Sequence, residues 1–205
     1  MNAALVIVDI QNDFCLNGAL PVPDGDAVVA VANRLMRQFR PCVLTQDWHP
    51  VGHMSFASTY GALPYTRIGK GQDTRILWPD HCVAGSHGAD FHPLLETARA
   101  SIVLRKGSNP ELDSYSAFVE SDGATHTGLD GWMKGLGLDT IVVAGLATDY
   151  CVKATALDAR SLGFNVIIAR DGVRGVNAMP GDSDRVLGEL EHAGCRILDS
   201  EEIQP

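Results

Sequence analysis

Three residue types that together could carry out acyl transfer through a thiol stand at the ends of apolar runs in this chain. Leu5-Val6-Ile7-Val8 stops at Asp9, Ser101-Ile102-Val103-Leu104-Arg105 stops at Lys106, and Ile141-Val142-Val143-Ala144 leads through Gly145-Leu146-Ala147-Thr148-Asp149-Tyr150 into Cys151. A thiol needs a base to take its proton, and Asp9 could do this if burial raises its pKa. Lys106 could hold Asp9 and neutralise developing negative charge. With Thr148 as N-cap, Cys151 falls in the first turn of a helix, where free N–H groups and the dipole lower a thiol pKa and favour a thiolate near neutral pH. The same N–H groups could stabilise an oxyanion. Taken singly, Asp9 reads as a loop cap, Lys106 as a surface charge and Cys151 as a half-buried helix-start cysteine. Their shared placement favours one site.

A second set suits a metal. Cys42-Val43-Leu44 runs through Thr45-Gln46 into Asp47-Trp48-His49. Asp47 and His49 are two apart, so on extended backbone their side chains point the same way. His81 arrives from a downstream stretch rich in aromatics. Two imidazoles and a carboxylate fit one divalent ion, Zn²⁺ first and Fe²⁺ or Mn²⁺ as alternatives, with positions left for water or substrate. Trp78 beside a candidate ligand suits a flat ring. His87, His92, His126 and His192 read as surface or capping residues.

These residues need elements to position them. The short β-branched runs lack polar alternation and read as strands buried on both faces, as in a parallel sheet. Asn165–Ala169 and Cys195–Leu198 add two more strands. Helical periodicity covers 27–39, 149–162 and 182–193, and Gly163 and Gly194 stop the last two. Alternating strands and helices predict an α/β fold: a doubly wound, mainly parallel sheet of about six strands with helices on both faces, in three Rossmann-like layers. In such a sheet ligands bind beyond the carboxyl ends of the strands, where the candidate residues stand. Residues 47–91 lack a strong period, and their Trp, Tyr, Phe and His content reads as an ordered wall of the site. One domain over 1–205 is expected.

Bulk properties exclude several functions. Sixteen basic against twenty-five acidic side chains give a net charge of −9, which argues against nucleic-acid and anionic-membrane binding. No apolar stretch approaches the ~20 residues that span a bilayer, and the first residues lack an export signal. The five cysteines contain no CxxC pair, so reduced thiols in the cytoplasm are expected.

Several blocks carry a resemblance. They are Val8-Asp9-Ile10-Gln11-Asn12-Asp13-Phe14, Thr45-Gln46-Asp47-Trp48-His49-Pro50, Ser55-Phe56-Ala57-Ser58, Trp78-Pro79-Asp80-His81-Cys82-Val83, Lys106-Gly107 through Asp113-Ser114-Tyr115-Ser116-Ala117-Phe118, and Gly145 through Val152, with a weaker block at Asp171–Val176. Together they resemble the nicotinamidase (pyrazinamidase) family of isochorismatase-like cysteine hydrolases. The resemblance implies an Asp9, Lys106 and Cys151 triad. It also implies an oxyanion held by the N–H groups of Ala147 and Cys151, and a cis peptide before Ala147. It implies a metal at Asp47, His49 and His81, with Ser55 aligned to the variable fourth position and His53 close by as a competitor. Phe14, Trp78, Tyr115, Leu146 and Tyr150 match positions around the substrate ring, although Leu146 also reads as packing.

The activity so implied is hydrolysis of nicotinamide, and of pyrazinamide, to the acid and ammonia through a cysteine thioester, in NAD salvage, by a cytoplasmic monomer or small homo-oligomer. The rival enzyme reading is an isochorismatase-like amidohydrolase of another small amide, such as a carbamoyl or ureido compound. A third reading has the metal activating water and Cys151 merely structural. The non-enzyme reading is a metal- or thiol-based sensor.

Overall fold

A computed structural model describes residues 2–69 and 74–205 of the 205-residue chain, so positions 70–73 of the aromatic stretch lie outside the described residues. In chain order the elements are β1 (Ala3–Val8), α1 (Val28–Gln38), β2 (Cys42–Asp47), β3 (Arg67–Ile68), β4 (Arg75–Ile76) and β5 (Ile102–Lys106). They continue with α2 (Leu129–Gly135), β6 (Thr140–Leu146), α3 (Lys153–Ser161), β7 (Asn165–Arg174), α4 (Asp182–His192) and β8 (Arg196–Leu198). Six strands form one sheet in the order β5-β2-β1-β6-β7-β8, and every neighbouring pair is parallel.

The alternation of side chains along each strand divides the core in two. Leu5, Ile7, Leu44, Val142, Ala144 and Ile167 pack under α1 through Val28, Ala32, Leu35 and Met36. Ala4, Val6, Val8, Val143, Val166 and Ile168 face the other side, under Met133 of α2, Ala156 of α3 and Leu190 of α4. Each residue in β1, β2 and β6 is buried, which explains the apolar runs Ala3–Val8, Cys42–Leu44 and Ile141–Leu146 within them. Full burial of one Leu or Ile contributes about 1.5–3 kcal/mol, so these strands dominate the core. β5 differs: as the edge strand it alternates exposed with half-buried residues until Lys106, which is buried. The expectation of burial on both faces does not hold for it.

Two elements escaped the periodicity. α2 carries Gly131 and Gly135, which weaken a helical pattern. The two-residue ribbon β3–β4 is too short to display alternation. Otherwise the described residues of 50–91 are turns, bends and irregular chain with one short 3₁₀ segment at Ser58–Tyr60, held by isolated bridges His49–Val83 and Phe56–Trp78. Among the described residues no helix is long and apolar enough to cross a membrane.

Candidate active site

Strand register brings the charged residues together. Asp47 and Lys106 are paired positions at the ends of β2 and β5, and Asp9 follows β1 next to β2. Lys106 is 1% exposed and its Nζ lies 2.9 Å from Asp9 Oδ2 and 3.4 Å from Cys151 Sγ. The same ammonium ion-pairs with Asp47 Oδ1 and approaches the Ser114 carbonyl at 3.4 Å. Ligand atoms of Asp9, Asp47 and Cys151 all lie within 4.8 Å of one another. Lys106 Nζ stands within 3.4 Å of all three, so this group already holds its cation.

Asp9 is fully buried. Thr45 Oγ1 donates to its Oδ1 at 2.5 Å and accepts from its backbone N–H at 3.1 Å. Its Oδ2 faces the ammonium without a directed hydrogen bond and is therefore free to receive a proton. Burial raises the Asp9 pKa, Lys106 opposes the shift, and nearby Asp47 reinforces it. Burial would lower Lys106, but Asp47 and Asp9 outweigh it and hold the ammonium charged.

Cys151 departs from its expected setting. Thr148–Val152 is a π-helical turn leading into α3, the N-cap position is Ala147, and no side chain caps it. Thr148 is thus inside the turn. Tyr150 and Val152 both donate their N–H to the Ala147 carbonyl, at 3.1 Å each. Burial pushes the thiol well above its ordinary pKa, only partly offset by Lys106, so the resting sulfur keeps its proton. Desolvation, reinforced by Asp9 and Asp47, works against the expected resting thiolate. The Leu146–Ala147 peptide is cis.

The metal-type residues lie beside this group. Asp47, His49 and His81 are buried, and their ligand atoms lie within 4.8 Å of one another. His49 Nδ1 donates to the Gly107 carbonyl at 2.9 Å, and His81 Nδ1 donates to the Pro79 carbonyl at 2.8 Å. Each bond fixes the tautomer and leaves Nε2 with its lone pair directed inward, as a ligand requires. Burial pushes His81 down to about 4, with His49 adding to the shift. Burial would also lower His49, but Asp47, with Oδ2 3.7 Å from Nε2, raises it. Asp47 stays below the usual carboxylate range: burial opposes this, and Lys106 and His49 outweigh it. A carboxylate that attracts a proton onto a neighbouring imidazole is a site suited to a cation, and the trio fits a divalent metal.

Supports hold these ligands. Gln11 Oε1 accepts from the Asp47 N–H at 2.8 Å while its Nε2 donates to the Asp47 and Ala89 carbonyls, at 2.8 and 2.9 Å. It serves as a missing strand neighbour. Gly107 has φ +67°, and a Cβ there would meet the His49 ring at 2.5 Å. His53 is held at both nitrogens: Nε2 donates to the Leu112 carbonyl at 3.1 Å, while Nδ1 accepts from Ser55 Oγ at 2.7 Å and from the Ser55 N–H at 3.2 Å. Both of its ring nitrogens are thus engaged within the protein.

Another cluster, Cys15, Asp26 and His92, resembles a ligand set by distance alone. His92 Nδ1 accepts from the Leu94 N–H at 3.2 Å, so its proton sits on Nε2, 3.3 Å from Asp26 Oδ1. That tautomer offers no lone pair to a metal. His87, His126 and His192 are on the surface, within reach of Asp90, Asp130 and the Gly188 carbonyl.

A cavity joins the two groups and is lined by Cys151, Asp47, His49, Ser55 and His81. Phe14, Trp78, Tyr115, Tyr150 and Ala147 also line it. Trp78 stands edge-on to Tyr150 with ring centres 5.0 Å apart, and its Nε1 donates to the Tyr115 hydroxyl at 3.4 Å. Leu146 is the exception among the anticipated ring contacts. It is wholly buried under α1 and does not line the cavity, because it is the last residue of β6 and points into the core. Asp113 and Ser114 line the cavity unanticipated, although their block had been noticed. Leu20, Val22 and Val176 do so with no local signal.

Comparison with known proteins gives a consistent result. Residues 3–202 match the isochorismatase domain. The chain is 47% identical to the nicotinamidase of Escherichia coli K12 over 98% of each chain. An Acinetobacter baumanii nicotinamidase/pyrazinamidase superposes with a TM-score of 0.93 at 42% identity, covering 98% of this chain and 97% of that one. A Pyrococcus horikoshii pyrazinamidase, in complex with zinc, superposes with a TM-score of 0.79 at 36% identity, covering 97% and 99%.

Proposed function

The chain belongs to the isochorismatase family, and we propose that it is a nicotinamidase, hydrolysing nicotinamide to nicotinate and ammonia in NAD recycling and cleaving pyrazinamide likewise. The observation that carries this reading is Lys106 Nζ, 2.9 Å from Asp9 Oδ2 and 3.4 Å from Cys151 Sγ at the floor of an aromatic-walled cavity. A flat ring with a carboxamide fits between Trp78, Tyr150 and Phe14, with the carboxamide at the sulfur.

Asp9 Oδ2 takes the Cys151 proton as the sulfur attacks the carboxamide carbon. The carbonyl oxygen gains the negative charge and is held by the N–H groups of Ala147 and Cys151. Lys106 is the shared cation that faces the sulfur and both carboxyl groups through the step. Collapse breaks the C–N bond, and Asp9 returns its proton to the departing ammonia. The acyl group remains on sulfur as a thioester, and water deprotonated by Asp9 hydrolyses it to restore the thiol.

Asp47, His49, His81 and the oxygen of Ser55 are the proposed ligands of one divalent ion, with zinc the first choice given the zinc-bound pyrazinamidase relative. When bound, the ion supplies an anchor for the pyridine nitrogen. His53 accepts the Ser55 hydroxyl proton and so turns the oxygen lone pairs away from itself. This assigns 47–91 to metal and substrate binding within one domain.

Ammonia release from nicotinamide, measured for wild type and Cys151→Ala with and without a chelator, tests the proposal. Wild type should turn over. Cys151→Ala should be inactive with its metal retained. Substantial residual activity in that variant rejects the thiol mechanism.

A further inference from the structure

Six buried side-chain atoms among the described residues lack a hydrogen-bond partner, and of the residues that carry them only Ser114 lines the catalytic cavity. Ser114 is 1% exposed. Its backbone is already committed: the N–H donates to Asp113 Oδ1 at 2.9 Å and the carbonyl faces Lys106 Nζ at 3.4 Å. The hydroxyl alone is left over. A buried hydroxyl without a partner is costly, and one beside a reaction centre calls for an explanation in terms of what binds there.

Its place in the cavity is defined by Lys106. The ammonium that touches the Ser114 carbonyl also touches Cys151 Sγ at 3.4 Å, as well as Asp47, so Ser114 stands within reach of the nucleophile. There a bound carboxamide presents two chemically different groups. Its oxygen is an acceptor and belongs with backbone N–H donors. Its NH₂ is a donor and needs acceptors. The Asp9 carboxylate is one. The Ser114 hydroxyl, which has both lone pairs free, is the other.

We propose that Ser114 Oγ accepts a hydrogen bond from the scissile carboxamide N–H and so makes the site selective for a primary amide. This rests on the amide-hydrolase reading and deepens it, since the ring contacts do not distinguish a carboxamide from another carbonyl group. Accepting one N–H also fixes the NH₂ plane, leaving the nitrogen lone pair directed towards the proton that Asp9 returns. Ser114 is a specificity-determining residue here; it transfers no proton.

Pyridine-3-carbaldehyde separates this role from a structural one. It has the same ring and carbonyl but carries hydrogen in place of NH₂. The Cys151 thiol adds to it reversibly: a C–S bond forms, the C=O π bond breaks, and the thiol proton ends on the carbonyl oxygen. Removing the Ser114 hydroxyl should therefore leave the aldehyde's inhibition constant unchanged within about twofold. The same change should lower kcat/KM for nicotinamide by about 3- to 10-fold, the range of one neutral hydrogen bond.

The experiment measures both quantities for wild type, Ser114→Ala and Ser114→Cys, with Tm as a check on folding. Ser114→Cys keeps the volume but accepts hydrogen bonds weakly, so it should show the same split. Equal loss on amide and aldehyde, or no loss on the amide, overturns the proposal. A wild type that binds the aldehyde yet releases no ammonia from nicotinamide overturns the amide-hydrolase reading, and this inference with it.

Discussion

Lys106 and Asp47 are register partners at the ends of adjacent parallel strands, and their side chains form a buried ion pair that joins the metal-type trio to the Cys151 sulfur. Since the same Nζ reaches Asp9 and Cys151, one ammonium is shared by two carboxyl groups and a thiol within a desolvated site. Neither group of residues is independent of the other.

Replacing that ammonium tests the coupling. Lys106→Met leaves Asp9 and Asp47 buried without a counter-ion, and breaking such a group costs about 3–5 kcal/mol. Urea denaturation should show this loss along with the loss of turnover. A stable but inactive variant would mean that Lys106 acts on the reaction alone.

Gly107→Ala should act on His49 without touching the sulfur. The added Cβ would meet the His49 ring at 2.5 Å, in a backbone conformation with φ +67° that alanine disfavours. Metal titration should show affinity lowered by about 10-fold or more, with KM raised more than kcat falls. Unaltered metal binding would remove Gly107 as a support.

For the fourth ligand position, Ser55→Ala and His53→Phe should each weaken metal binding by about 10-fold, and the double variant by little more than either. That non-additivity follows from one hydrogen bond, His53 Nδ1 to Ser55 Oγ at 2.7 Å. If His53 were itself the ligand, Ser55→Ala would leave affinity intact.

Acid should destabilise the metal-stripped protein in a defined window. His81 is pushed down to about 4 by burial and by His49, against an ordinary 6.5. As pH falls below 6.5 the unfolded chain takes up its proton first. Stability is therefore lost between 6.5 and 4, by about 3 kcal/mol in full. Urea melts at pH 7 and pH 5 should reveal it, and His81→Asn should flatten that part of the slope.

Substrate range separates the two amide readings. A cavity built for a flat ring should release ammonia from nicotinamide and pyrazinamide and leave N-carbamoyl amines untouched. Comparable rates on a carbamoyl substrate would favour the rival amidohydrolase.

The residues that matter chemically were legible in the primary structure, because each ends an apolar run or sits in a short block of unusual composition. Asp9, Asp47, Lys106 and Cys151 could be picked out that way, and the parallel sheet followed from runs such as Leu5–Val8 that alternate no polar residue. α2 was hidden by its glycines. Leu146 could be read as a ring contact or as packing, because sequence position does not say which side of a strand end faces the cavity; its side chain lies in the core.

Chain order alone therefore determined the parts: a strand-ending acid, amine and thiol, a His/Asp trio, and the α/β scaffold that carries them. Tertiary structure decided their state. Whether Cys151 rests as a thiol depends on desolvation by every neighbour at once, and packing opposes what a helix start would do alone. Which imidazoles can bind a cation depends on distant carbonyls, Gly107 for His49, Pro79 for His81 and Leu112 for His53. Burial and tautomer are properties of the folded surroundings, and no local stretch of residues encodes them.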